Sequence, residues 1–130
     1  MKSLFYIAAL PVLAALAQAV PPAEGPTCQA QLAAHLEGNQ LTLVGHCRND
    51  SEKALTLRYE LLTDKRGPAG TSRNTQSGTV TVAPRQTVAL SQTSISVSPA
   101  DFYQVHLHLL DAHGTVVARD SLVHAPASRP

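Results

Sequence analysis

No tryptophan occurs in this 130-residue sequence, and cysteine occurs only twice. Without tryptophan, the buried indole that packs on the inter-sheet disulfide of antibody domains is ruled out. Two cysteines with no Cys-x-x-Cys motif give neither a redox dithiol signature nor a thiolate metal cluster. There is no run of basic residues: ten Lys and Arg stand against nine Asp and Glu, a formal charge of +1. Nucleic acid and anionic membrane surfaces are therefore poor electrostatic partners. No long apolar run follows the first twenty residues, so neither a spanning helix nor membrane insertion is expected. Helical periodicity is absent as well.

What is present begins with an export signal. Lys2 supplies the positive start, Leu4 to Leu16 the apolar stretch, and Ala17-Gln18-Ala19 a small-x-small cleavage site. Residues 1–19 are expected to be removed. Loss of Lys2 leaves nine basic against nine acidic residues, a neutral mature chain. Residues 20–27, "VPPAEGPT", form a Pro-rich leader, residues 28–124 one domain, and residues 125–130 a tail. A domain of this size gains from a covalent staple. In an exported chain Cys28 and Cys47 are expected to form a disulfide. Its loop of about twenty residues is worth roughly 3 kcal/mol.

The segments Cys28–Leu36 and Gln40–Cys47 flank the turn residues Glu37-Gly38-Asn39. Facing Leu32 with Leu43 sets Ala30 against Gly45, Ala34 against Leu41 and Cys28 against Cys47. That register sorts small and apolar residues to one side and Gln29, Gln31, His35, Gln40, Thr42 and His46 to the other. Further runs alternate in the same way. Leu55, Leu57, Tyr59 and Leu61 point inward on one strand, and Tyr103, Val105, Leu107 and Leu109 on another. "DKRGPAG" reads as a loop. Residues 71–82 read as a strand kinked or bulged at Gly78. Across the turn Pro84-Arg85-Gln86, Val80 and Val82 are expected to oppose Val88 and Leu90. Seven short strands predict an all-β, two-sheet sandwich of immunoglobulin or fibronectin-III type.

Taken together, "GPAGTSRNTQSGTVTVAPRQTVALSQTSISV" and "DFYQVHLHLLDAHGTVVARDSL" resemble the curli assembly protein CsgH family, over roughly Cys28 to Leu122. The resemblance implies an immunoglobulin-like sandwich in the periplasm. It implies a chaperone-like inhibitor that delays amyloid assembly of the curli subunit, met as a transient partner by a monomer. It implies no cofactor and no catalytic residue. The Cys-x-Cys pair of the related inhibitor CsgC has no counterpart here, so no redox activity carries over.

The stretch "GTSRNTQSG" (Gly70–Gly78) contains no apolar side chain. Polarity of this kind discourages sheet-to-sheet sticking at an exposed edge. The same residues could pair briefly with a client rich in Ser, Asn, Gln and Gly. Arg73, Asn74 and Gln76 are the expected client contacts.

The other candidates carry less. His106 and His108, two apart on one strand, could begin a copper or zinc site, the metal-binding alternative. A structural adhesin or matrix module is a second alternative. Asp120, Ser121 and His124 have the residue types of a hydrolase but lie on one strand without a nucleophile elbow, so catalysis is not expected. Strict alternation turns Asp120 toward the core, where it must either rotate out on a bulge or accept backbone hydrogen bonds. Asn49-Asp50-Ser51 matches a glycosylation sequon and also suits a turn.

Overall fold

The structure, a computed structural model, describes residues 27–126. The expected export signal, residues 20–26 of the leader and residues 127–130 of the tail lie outside the described residues. Seven strands follow in order: β1 (Cys28–Glu37), β2 (Gln40–Asn49), β3 (Leu55–Gly67), β4 (Gly70–Val82), β5 (Thr87–Ser96), β6 (Phe102–Leu110) and β7 (Val116–His124). They form two antiparallel sheets, one ordered β1-β2-β5 and the other β4-β3-β6-β7. The expected all-β sandwich is present. Its fourth strand lies beside β3 rather than on the β1-β2 sheet, where the antibody constant domain carries it.

Alternation explains the core. Leu57 and Leu61 of β3, Val105, Leu107 and Leu109 of β6, and Leu41 and Leu43 of β2 point inward and are buried. Each such side chain contributes about 1.5–3 kcal/mol on burial. Gly45 lets the sheets come close: a Cβ there would lie 3.2 Å from Leu107 Cδ1.

Four expectations need correction. First, β1 and β2 pair two residues away from the predicted register. Leu32 faces Gly45, Ala30 faces Cys47 and Cys28 faces Asn49. The turn is responsible. Glu37 pairs with Gln40, leaving a two-residue loop, and Gly38 takes φ +61° at its first position. That geometry suits a tight hairpin. The cysteines remain on the inner face, but both thiols are free and buried. They sit on a diagonal, where Cβ atoms stand about 7 Å apart, instead of the roughly 3.8 Å of a disulfide. The expected Cys28–Cys47 bond is absent.

Second, β3 continues through the predicted loop to Gly67. Its charged residues have partners: Asp64 with Arg73 at 3.7 Å, Lys65 Nζ with Ser96 O at 2.8 Å, and Arg66 over the Phe102 ring at 4.7 Å. Third, β4 and β5 do not form a hairpin. The Pro84–Gln86 turn carries the chain between sheets, with Arg85 at φ +64°. Val80, Val82, Val88 and Leu90 meet in one inter-sheet cluster instead of a ladder. Fourth, β4 runs through Gly78 without a bulge. Gly78 faces Tyr59, and a Cβ there would lie 2.7 Å from the Tyr59 hydroxyl. Glycine at this position makes room for the ring.

Candidate functional site: the β4 edge

β4 is the outer strand of the four-stranded sheet. Its backbone pairs with β3 on one side, and no strand of the sheet pairs with its other side. From Gly70 to Thr75 every residue is exposed. This is the edge that the polar stretch predicts. Cross-strand pairs supply its stability: Asn74 faces Thr63, Gln76 faces Leu61, and Arg73 faces Asp64.

The three expected contact residues do not share a face. Arg73 lies on the outer face of the sheet beside Asp64, its side chain 78% exposed. Asn74 and Gln76 follow the opposite parity, with Tyr59, Leu61 and Thr63, on the face turned toward the second sheet. Gln76 is half-buried there, and Asn74 is exposed at the rim. A strand laid along β4 would therefore meet a cation on one side and two amides on the other.

His106 and His108 share the outer face, as expected, with ring centroids 6.2 Å apart. His108 Nδ1 lies 3.9 Å from Glu60 Oε1. Among the described residues, no three His, Cys, Asp or Glu side chains gather closely enough to hold a metal ion. The residue types of a hydrolase on β7 do not converge. Asp120 belongs to the inner face, Ser121 to the outer one, and His124 stacks on Tyr103 at 4.7 Å while its Nδ1 lies 3.0 Å from Asp101 O.

Asp120 turns inward, as alternation requires, and its Oδ2 accepts a hydrogen bond from Leu32 N–H at 2.8 Å. The acceptor comes from β7 of one sheet and the donor from the outer edge of β1 in the other. It satisfies an edge N–H that would otherwise be open to another chain.

Sequence reasoning missed the role of Asn49. It is 0% exposed. Its Nδ2 donates to Lys53 O at 2.7 Å, Val82 O at 3.0 Å and Ala83 O at 3.2 Å. Its Oδ1 accepts from Ser51 N–H and the Ser51 hydroxyl. The sequon asparagine is thus a buried hydrogen-bonding hub, and its amide is not accessible for glycosylation. The available signal was its inward parity with Cys47.

The CsgH protein family matches this chain over residues 27–121. Among solved structures, CsgH of R. palustris superimposes with a TM-score of 0.55 and 26% identity, covering 76% of this chain and 92% of its own. The curli protein CsgC of E. coli gives a TM-score of 0.61 at 19% identity, covering 72% of this chain and 96% of its own. A Bacteroides uniformis β-glucuronidase gives a TM-score of 0.53 at 18% identity. It covers 77% of this chain but only 14% of that enzyme, a likeness of fold alone. No curated protein matches the chain in sequence.

Proposed function

The chain belongs to the CsgH family, and from that membership we propose that it is a periplasmic, non-enzymatic inhibitor that keeps curli amyloid subunits from fibrillating before secretion. The observation that carries the reading is the open β4 edge, exposed from Gly70 to Thr75 and free of apolar side chains from Gly70 to Ser77. Amyloid grows by adding strands to an exposed edge. A folded edge that pairs with an incoming strand removes it from growth. The incoming strand then meets a sandwich whose twist and charged outer face do not continue a flat cross-β stack.

The contact is transient because β4 offers hydrogen bonds without an apolar anchor. Arg73, paired only weakly with Asp64 at the surface, resists stacking of identical chains in register. The test is thioflavin-monitored fibrillation of a curli subunit with and without the mature chain. A lengthened lag supports the reading, and an unchanged lag at equimolar ratio contradicts it.

A further inference from the structure

The seam between β1 and β7 is closed along one half and open along the other. Asp120 bonds Leu32 N–H, and four residues further along both strands His124 and Leu36 line one cavity. The two strands therefore run alongside each other in the same direction. From Cys28 to Leu32 the inward residues of β1 are buried or half-buried. Beyond Leu32 the cover stops. Ala34 and Leu36 keep the inward parity but are exposed, Leu36 at 56%. β7 ends at His124, level with Leu36.

The cavity at this open end measures about 200 Å³. Leu36, Val97, Pro99 and Tyr103 give it an apolar lining, with His124 in its wall. Both rings are held in place: His124 stacks on Tyr103 at 4.7 Å, and its Nδ1 lies 3.0 Å from Asp101 O. The space is smaller than the roughly 300–1,000 Å³ of small-molecule pockets, and it suits one or two small side chains. An exposed leucine beside an apolar hollow, on an edge strand, invites another chain.

We propose that the protein closes this cavity with its own residues 127–130, Ala-Ser-Arg-Pro. Three observations select that occupant. The first is position. Pro126 is the last described residue, two past His124 in the cavity wall, so the segment starts at the mouth. Four residues span up to about 14 Å, enough to fold back across an opening of this size. The second is composition. Ala127 and Pro130 suit a small apolar space, and prolines at 126 and 130 keep the segment from extending β7 or offering a new edge. The third is charge. Glu37, next to Leu36 on the rim, takes part in none of the ion pairs among the described residues. Arg129 is the one cation of the segment, three residues past Pro126, and pairs with it. Closure withdraws Leu36 as an apolar anchor for other chains. Nothing in it depends on a curli client.

Methyl and aromatic NMR spectra of the full mature chain, compared with those of a chain stopped after Pro126, test the closure. Truncation should shift the Leu36 and Val97 methyl signals and the Tyr103 ring signals and leave β4 signals in place. Amides 127–129 of the full chain should tumble with the sandwich in heteronuclear NOE measurements. An exposed ion pair is worth a factor of about two to five. Glu37→Arg and Arg129→Glu should each lower the docked population by about that factor, and the two together should restore it. Glu37 is exposed, so its replacement does not endanger the fold. Unmoved Leu36, Val97 and Tyr103 signals in the truncated chain overturn the proposal. So do amides 127–129 that tumble independently of the sandwich, or a charge swap that restores nothing. Cavity signals that shift with protein concentration also overturn it, because they assign the cavity to a second copy.

Discussion

Asp120 of β7 and Leu32 of β1 are joined by a 2.8 Å hydrogen bond from the Leu32 N–H to the Asp120 carboxylate. It bridges the sheets where both strands are edges. Asp120→Ala should leave the Leu32 N–H without an acceptor and cost about 1–3 kcal/mol in urea unfolding. Leu32 amide exchange should rise in the same variant. Asp120→Asn keeps an acceptor oxygen and should retain most of the protection. Equal exchange at Leu32 in all three proteins would show that the bond does not hold the seam.

Asn49 predicts a larger effect. Asn49→Ala removes the donor shared by the Lys53, Val82 and Ala83 carbonyls and the acceptor used by Ser51. A loss of about 2–4 kcal/mol is expected from the buried groups left unpaired. Denaturant midpoints measure it. Asn49→Asp should fare no better, because a carboxylate cannot donate to the three carbonyls.

Gly78 and Tyr59 are coupled by contact. Gly78→Ala pushes a methyl into the Tyr59 ring and should destabilise by about 1–3 kcal/mol. Tyr59→Leu in the same chain should recover part of that loss. A thermal-melting double-mutant cycle reads the coupling, and strict additivity would mean that the ring does not rest on the glycine.

The free thiols predict an alkaline limit to stability. Burial, with the neighbouring Cys28 adding to it, pushes the Cys47 thiol up to about 11 from its ordinary 9.0. Cys28 is raised as well, by burial and by Asp50. Between these values the unfolded chain releases the Cys47 proton and the folded chain keeps it. Stability is complete below pH 9 and is lost as pH rises toward 11, by up to about tenfold in the folding constant per pH unit. Urea midpoints across that window measure the slope, which Cys47→Ala should reduce. Thiol titration should find both cysteines slow to react in the folded protein and fully reactive in denaturant. Absence of free thiols in the denatured chain would restore the disulfide.

Parity was readable from sequence, and register was not. Alternation assigned the inward residues of β1, β2, β3 and β6 correctly except Ala34 of β1, which keeps the inward parity but is exposed. A period of two cannot distinguish registers that differ by two, so pairing Cys28 with Cys47 satisfied the pattern as well as Ala30 with Cys47 does. The Gly38 turn decides between them. Nor does alternation say whether a strand pairs with its predecessor or crosses to another sheet, which is why β4 and β5 were expected to be a hairpin. The charges of Asp64, Lys65 and Arg66 suggested a loop because their partners come from β4, β5 and β6, distant in sequence. At the candidate site, exposure followed from composition. The separation of Arg73 from Asn74 and Gln76 follows from alternation alone once the stretch is taken as a strand.

The central claim is that the β4 edge restrains curli subunits. Replacing Arg73, Asn74 and Gln76 together with Ala tests it most directly, in thioflavin-monitored fibrillation of a curli subunit beside the wild-type chain. Arg73 and Asn74 are exposed and Gln76 is half-buried, none of them a fully buried core residue, so melting should change little. The lag gained with the wild type should shrink toward that of the subunit alone. A variant that melts like the wild type and delays fibrillation equally well would contradict the account.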